Sequence, residues 1–97
     1  VSVRTIWKIP IARGQSRVAV PPGSTLRSVA IARGELCAWY EVDPAMPASE
    51  DHLLWVIATG DEVPAAGDYF TMLMDHLGYV WHAYACTDTA KARAQIR

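Results

Sequence analysis

The sequence predicts an all-β fold, a small antiparallel β-sandwich or barrel of about seven strands with minimal helix. Apolar residues alternate with a period of two rather than the helical period. Clusters of Gly, Pro and Asp interrupt the alternation about every ten residues, as short strands require. The runs between them are rich in Val, Ile, Trp and Tyr, side chains that suit a pleated, half-buried surface.

The elements follow in order. VRTIWKIP places Val3, Thr5, Trp7 and Ile9 on one face and Arg4, Ile6 and Lys8 on the other, with Pro10 marking an edge or a strand end. QSRVAV is a second strand closed by Pro21, Pro22 and Gly23, so residues 3–20 read as a first hairpin. In TLRSVAIARGELCAWYEVDP two strand-like runs flank ARGE, where Gly34 is able to take positive φ in a turn. Leu36, Ala38, Tyr40 and Val42 alternate with Cys37, Trp39, Glu41 and Asp43, so both faces are bulky, as in a central strand. AMPASEDH reads as a loop, and LLWVIAT as a strand buried on both faces. GDEVPAAG is a loop, and DYFTMLM and YVWHAYAC form a closing hairpin around DHLG. In that hairpin Phe70, Met72 and Met74 oppose Tyr69, Thr71 and Leu73, while Val80, His82 and Tyr84 oppose Tyr79, Trp81 and Ala83. Residues 1–87 form one domain. The polar tail 88–97 is helix-compatible but too short to hold alone, so it frays unless it docks on a partner subunit.

Composition narrows the function. Apolar residues make up 52% of the 97, enough for one core. Nine basic against ten acidic residues leave a net charge of −1, no footprint for duplex nucleic acid. Cys37 and Cys86 form no CxxC and read as reduced core thiols in a cytoplasmic protein. No apolar run is long enough for a membrane span, and VSVRTIWK has no signal-peptide core.

Candidate chemistry is sparse. His52, at a loop end, His76, in a turn, and His82 lack the short spacings of a zinc site, and no cofactor motif occurs. Cys86 shares a strand face with His82 but lies about 13 Å along it, too far for a catalytic dyad. Glu41 with Asp43, and Asp61, Glu62 and Asp68, read as solubilising acids rather than an acid–base pair. Thr59 and Gly60 could cradle a small anion, although Asp61 and Glu62 follow at once. The tryptophans Trp7, Trp39, Trp55 and Trp81, with Tyr79 and Tyr84, lie on strands, mostly as core. Arg4, Arg17, Arg27 and Arg33 lie on strands or turns, and an arginine beside such a ring can clamp a base and a phosphate together.

TIWKIPI, PPGSTLRSVAIARGELCAWYEVDP, VIATGDEVP and DYFTMLMDHLGYVWHAY, in this order, resemble a family of short uncharacterised phage and prophage proteins. That family opens on T-I-W-K, carries a G-x-x-L-x-S-V hairpin ending in D-P, then a G-T-G loop and a closing V-W-H strand. The resemblance spans about Thr5 to Tyr84, and Ala58-Thr59-Gly60 stands where the family has G-T-G. It implies a phage-encoded β-rich protein in the cytoplasm of an infected bacterium, with no known reaction and no catalytic residues. By class-level analogy it implies a non-enzymatic, counter-defence binder that sequesters a small nucleotide signal, as a homo-oligomer. The ligand-binding candidates are then Trp81, His82 and Tyr84 at a base, Thr59 and Gly60 at a phosphate, and Arg27 or Arg33 as counter-charge. The alternatives are a module that inhibits a host defence protein or belongs to a virion assembly, and a small hydrolase. His82 itself reads either as a structural histidine of the closing hairpin or as a ligand grip.

Overall fold

Seven strands and one helix make up the computed structural model, which describes residues 3–96; Val1 and Ser2, before the first strand, and Arg97, at the end of the tail, lie outside the described residues. The strands are β1 (Thr5–Pro10), β2 (Gly14–Val20), β3 (Thr25–Ala32), β4 (Glu35–Val42), β5 (Glu50–Ala58), β6 (Asp68–Met74) and β7 (Val80–Cys86), and the helix is α1 (Thr89–Gln95). They form an antiparallel sandwich, with a sheet ordered β1-β4-β3 facing one ordered β2-β5-β7-β6.

The core lies between the sheets, where the alternation puts it. Trp7, Ile9, Leu26, Val29, Ala38, Tyr40 and Val42 from the first sheet meet Val18, Val20, Leu54, Val56, Leu73 and Ala83 from the second. β4 is central, as its two bulky faces require. The β3–β4 hairpin turns on Arg33 (φ 51°) and Gly34 (φ 77°), both left-handed as a two-residue primed turn demands.

The first hairpin does not form. β1 pairs with β4 and β2 with β5, so residues 3–20 cross from one sheet to the other. Pro10 has no N–H with which to extend a ladder, and Gly14, at φ 78°, turns the corner. Alternation reads the same whether two strands pair edge to edge or stack face to face.

Two boundaries also move. β5 begins at Glu50, three residues into the expected loop, because Asp51 and His52 find partners. Asp51 accepts from Arg17 at 3.2 Å and from Arg93 at 2.9 Å. The Arg93 and Arg17 guanidiniums, through those hydrogen bonds, hold its carboxyl below the usual range against the opposing effect of burial. His52 is no loop-end residue, for it lies in the core with its Nδ1 3.0 Å from the Tyr40 hydroxyl. In β6 a bulge between Tyr69 and Thr71 adds a residue, so Tyr69 shares the outer face with Met72 instead of opposing it.

The tail is a docked helix. Asp88 caps it, accepting from the Lys91 N–H at 3.1 Å. Ala92 buries against Leu53 and Cys86 on the outer face of the second sheet, flanked by Trp55 and Ile96. Arg93 ties it to Asp51 and to the Ser49 carbonyl at 3.1 Å, so it needs no partner subunit to hold it. Asp51→Ala is expected to release α1, with faster amide exchange at 89–95 than in wild type and little change in β4. Equal exchange in the two proteins would show that Ala92 packing alone holds the helix.

Candidate functional site

The predicted site residues separate into three places. Thr59, Gly60, His82 and Tyr84 come together on the outer face of the second sheet, where β5 ends beside β7. Trp81, one residue from His82, points the opposite way and packs at the end of the core. Arg27 and Arg33 belong to the other sheet. Arg27 is spent on Glu41, at 2.9 Å, and Glu41 is shared with Arg4. Arg33 occupies the left-handed turn position.

On the outer face, His82 is the middle of a hydrogen-bond chain. Its Nε2 lies 3.1 Å from Thr59 Oγ1 and its Nδ1 3.0 Å from the Tyr69 hydroxyl. Thr59 Oγ1 is also 3.3 Å from the Val80 carbonyl, which can only accept. The single Thr59 proton therefore goes to Val80, His82 Nε2–H donates to Thr59, and Tyr69 O–H donates to Nδ1. Both ring nitrogens and the Thr59 hydroxyl are thus hydrogen-bonded within the protein. Tyr84 stands edge-on to Tyr69, ring centres 5.2 Å apart, which fixes the Tyr69 ring. Cys86 lies at the other end of β7, its thiol 3.7 Å from the Asp88 carbonyl.

Thr59 and Gly60 sit in a turn that closes on itself. The Asp61 N–H donates to the Ala58 carbonyl at 3.1 Å, and the Asp61 carboxylate accepts the Ala58 N–H at 3.0 Å. Gly60 takes φ 98°, which this turn needs from a glycine. The acid that follows the turn thus occupies a donor that an anion nest would use.

The larger concavity lies behind Thr59, on the Trp81 side. It is a cleft of about 460 Å³, lined by Arg13, Thr59, Asp75, Leu77, Tyr79 and Trp81. The Arg13 guanidinium lies over the Trp81 ring, 4.4 Å from its centre. Among the described residues Arg13 has no carboxylate within salt-bridge distance, unlike Arg4, Arg17, Arg27 and Arg93. Trp81 is held from its other end, where Nε1–H donates to Asp75 at 3.2 Å. Asp75 also accepts the backbone N–H groups of Leu77 (2.9 Å) and Tyr79 (3.0 Å). Burial pushes the Asp75 carboxyl up, but these three hydrogen bonds outweigh it and hold the group below its ordinary range. It therefore stands as a carboxylate in the lining of the cleft, with its oxygens engaged by these three donors. Leu77 and Tyr79 remain exposed at the rim, at 69% and 65%.

Arg13 was absent from the arginines that the sequence singled out. Its signal was there, since Ile-Ala-Arg-Gly occurs twice, at 11–14 and 31–34. Both copies reach the same end of the sandwich, where Arg13 and Gly34 border one small cavity with Trp81. Only the first copy places its arginine on an indole.

No helix among the described residues is long and apolar enough to cross a membrane. No curated protein and no solved structure matches the chain significantly. A family profile does match, over residues 2–94, and so takes in the sandwich and nearly all of α1. With the match covering almost the whole chain, the protein belongs to the family described as a domain of unknown function, DUF7352.

Proposed function

We propose that this domain is a non-enzymatic binding protein for a small, planar, anionic ligand, with a nucleotide as the ligand class. The observation that carries this is Arg13, a cation without a carboxylate partner among the described residues, laid on Trp81 at the mouth of the cleft. A guanidinium so placed donates to a phosphate or carboxylate while its stem stays packed. Tyr79 offers an exposed ring at the rim on which a base can stack. Arg13 replaces Arg27 and Arg33 as the counter-charge in this reading. On the resemblance to phage proteins, the ligand is a host immune signal and binding withdraws it from use.

Native mass spectrometry of the purified protein, followed by calorimetry with mononucleotides and cyclic dinucleotides, tests the reading. A nucleotide should bind, and Arg13→Ala should weaken it about ten-fold or more without changing stability. Absence of binding heat with every nucleotide sinks it. The second reading, a module that inhibits a host protein or joins a virion assembly, draws on the exposed Leu77 and Tyr79. A stoichiometric protein retained from host lysate favours the second reading, and a co-purifying nucleotide the first.

A further inference from the structure

We propose that Asp75 is a specificity-determining residue of the Arg13–Trp81 cleft, accepting a hydrogen bond from an exocyclic amine on the base of the ligand and so selecting adenine, guanine or cytosine over uracil. This rests on the nucleotide reading and deepens it. An ionised carboxylate has about four acceptor positions on its two oxygens. Oδ1 of Asp75 accepts the Leu77 and Tyr79 N–H groups, at 2.9 Å and 3.0 Å, which fills it. Oδ2 accepts Trp81 Nε1–H at 3.2 Å and, among the described residues, nothing else. An acceptor position therefore remains on Oδ2, in a residue that lines the cleft.

The same indole carries both recognition groups. Arg13 lies over its face, 4.4 Å from the ring centre, and Asp75 lies at its Nε1 edge. A ligand that meets both needs an anionic group at one end and a donor at the other, as the phosphate and base of a nucleotide supply. Tyr79 belongs to the same frame. Asp75 holds its backbone N–H, so the ring on which a base stacks and the acceptor that reads the base edge are fixed to each other. Asp75 keeps its charge at neutral pH, because its hydrogen bonds outweigh its burial. A ligand that fills the cleft strips water from Oδ2, and the open position must then meet a donor or stand unpaired. The amines of adenine, guanine and cytosine meet it. Uracil offers only an N3–H between two carbonyl oxygens, and those oxygens face the carboxylate unfavourably.

Calorimetry of the full chain with two pairs of ligands tests this. Cytidine against uridine 5′-monophosphate exchanges the amine for a carbonyl, and adenosine against purine riboside 5′-monophosphate removes the amine alone. In each pair the amine-bearing ligand should bind about ten-fold or more tightly. Asp75→Asn keeps an oxygen for the Leu77 and Tyr79 N–H groups but turns an amide donor to the open position, so it should reverse the cytidine–uridine preference. Mere support of the turn would instead weaken every ligand alike. The wild-type pairs decide the matter even where the variant fails to fold. Equal affinities within either pair, or a folded Asn variant that weakens all four ligands alike, would overturn the role of Asp75 and leave the nucleotide reading in place. No heat with any of the four would overturn it too, and if cyclic dinucleotides fail as well the nucleotide reading falls with it.

Discussion

Tyr40→Ala is expected to cost about 3–5 kcal/mol of unfolding free energy, a large share of what a domain of this size possesses. Tyr40 is the largest of the fully buried side chains and joins β4 to the opposite sheet. Its loss leaves a cavity and also strips His52 of the hydroxyl at its Nδ1. Tyr40→Phe separates the two effects, since it keeps the ring and removes only the hydrogen bond, at about 1–3 kcal/mol. Urea unfolding of both variants measures the difference. Equal losses would mean that the hydrogen bond, not the packing, dominates.

The same pair makes stability depend on pH. Burial pushes the His52 pKa below its ordinary 6.5, while Glu50, 3.8 Å from Nε2, and Asp51 pull the other way and lose. The neutral ring accepts from Tyr40, whose phenol burial pushes up and keeps protonated. Because the folded pKa lies below the unfolded one, the contribution is fully present above pH 6.5 and is lost as pH falls through the folded value. The loss approaches about 1.4 kcal/mol per pH unit at most. His52→Gln should flatten the dependence of the urea midpoint between neutral and mildly acidic pH, whatever it does to the midpoint itself. An unchanged slope would place the acid sensitivity elsewhere.

Gly67→Ala is the second large effect. A Cβ there would sit 2.8 Å and 3.0 Å from two ring carbons of Trp55, and 3.2 Å from Tyr84 Cβ. Neither neighbour yields cheaply. The Trp55 indole packs beside Leu53 and Cys86 under α1, and Tyr84 Cβ is rooted in β7. Overpacking of this kind costs about 1–3 kcal/mol. Tyr84 abuts Tyr69, which holds His82, so the strain should also reach the outer-face chain. The expected result is a lower urea midpoint together with shifted imidazole resonances of His82. Normal stability would mean that the loop before β6 moves away freely.

Much of this molecule is legible in its residues. Period two assigns Leu36, Ala38, Tyr40 and Val42 to one face, and the last three are core with Leu36 packed against it. Arg33-Gly34 announces its hairpin, and the D-H-L-G turn announces the other. His82 and Trp81 fall on opposite faces, as alternation requires. Face and turn are local properties, written in neighbours one or two residues apart.

What alternation cannot carry is which strand lies beside which, and the same limit hid the cleft where Arg13 meets Trp81. Residues 3–20 obey the hairpin pattern yet pair with β4 and β5, because long-range packing of two apolar faces outweighs one local turn. Asp51 and His52 look like loop residues until Arg93, 42 positions away, and Tyr40, 12 away, satisfy them in the fold. Tyr69 changes face through a single bulged residue. Arg13 is one of two identical Arg-Gly corners, and only the crossing of β1 into β2 sets it on Trp81. Sequence therefore determines the strands, their faces and the imidazole's neighbours along β7. Tertiary structure decides the sheet order, the buried polar pairs and the cleft, because each depends on partners that the chain brings together only by folding.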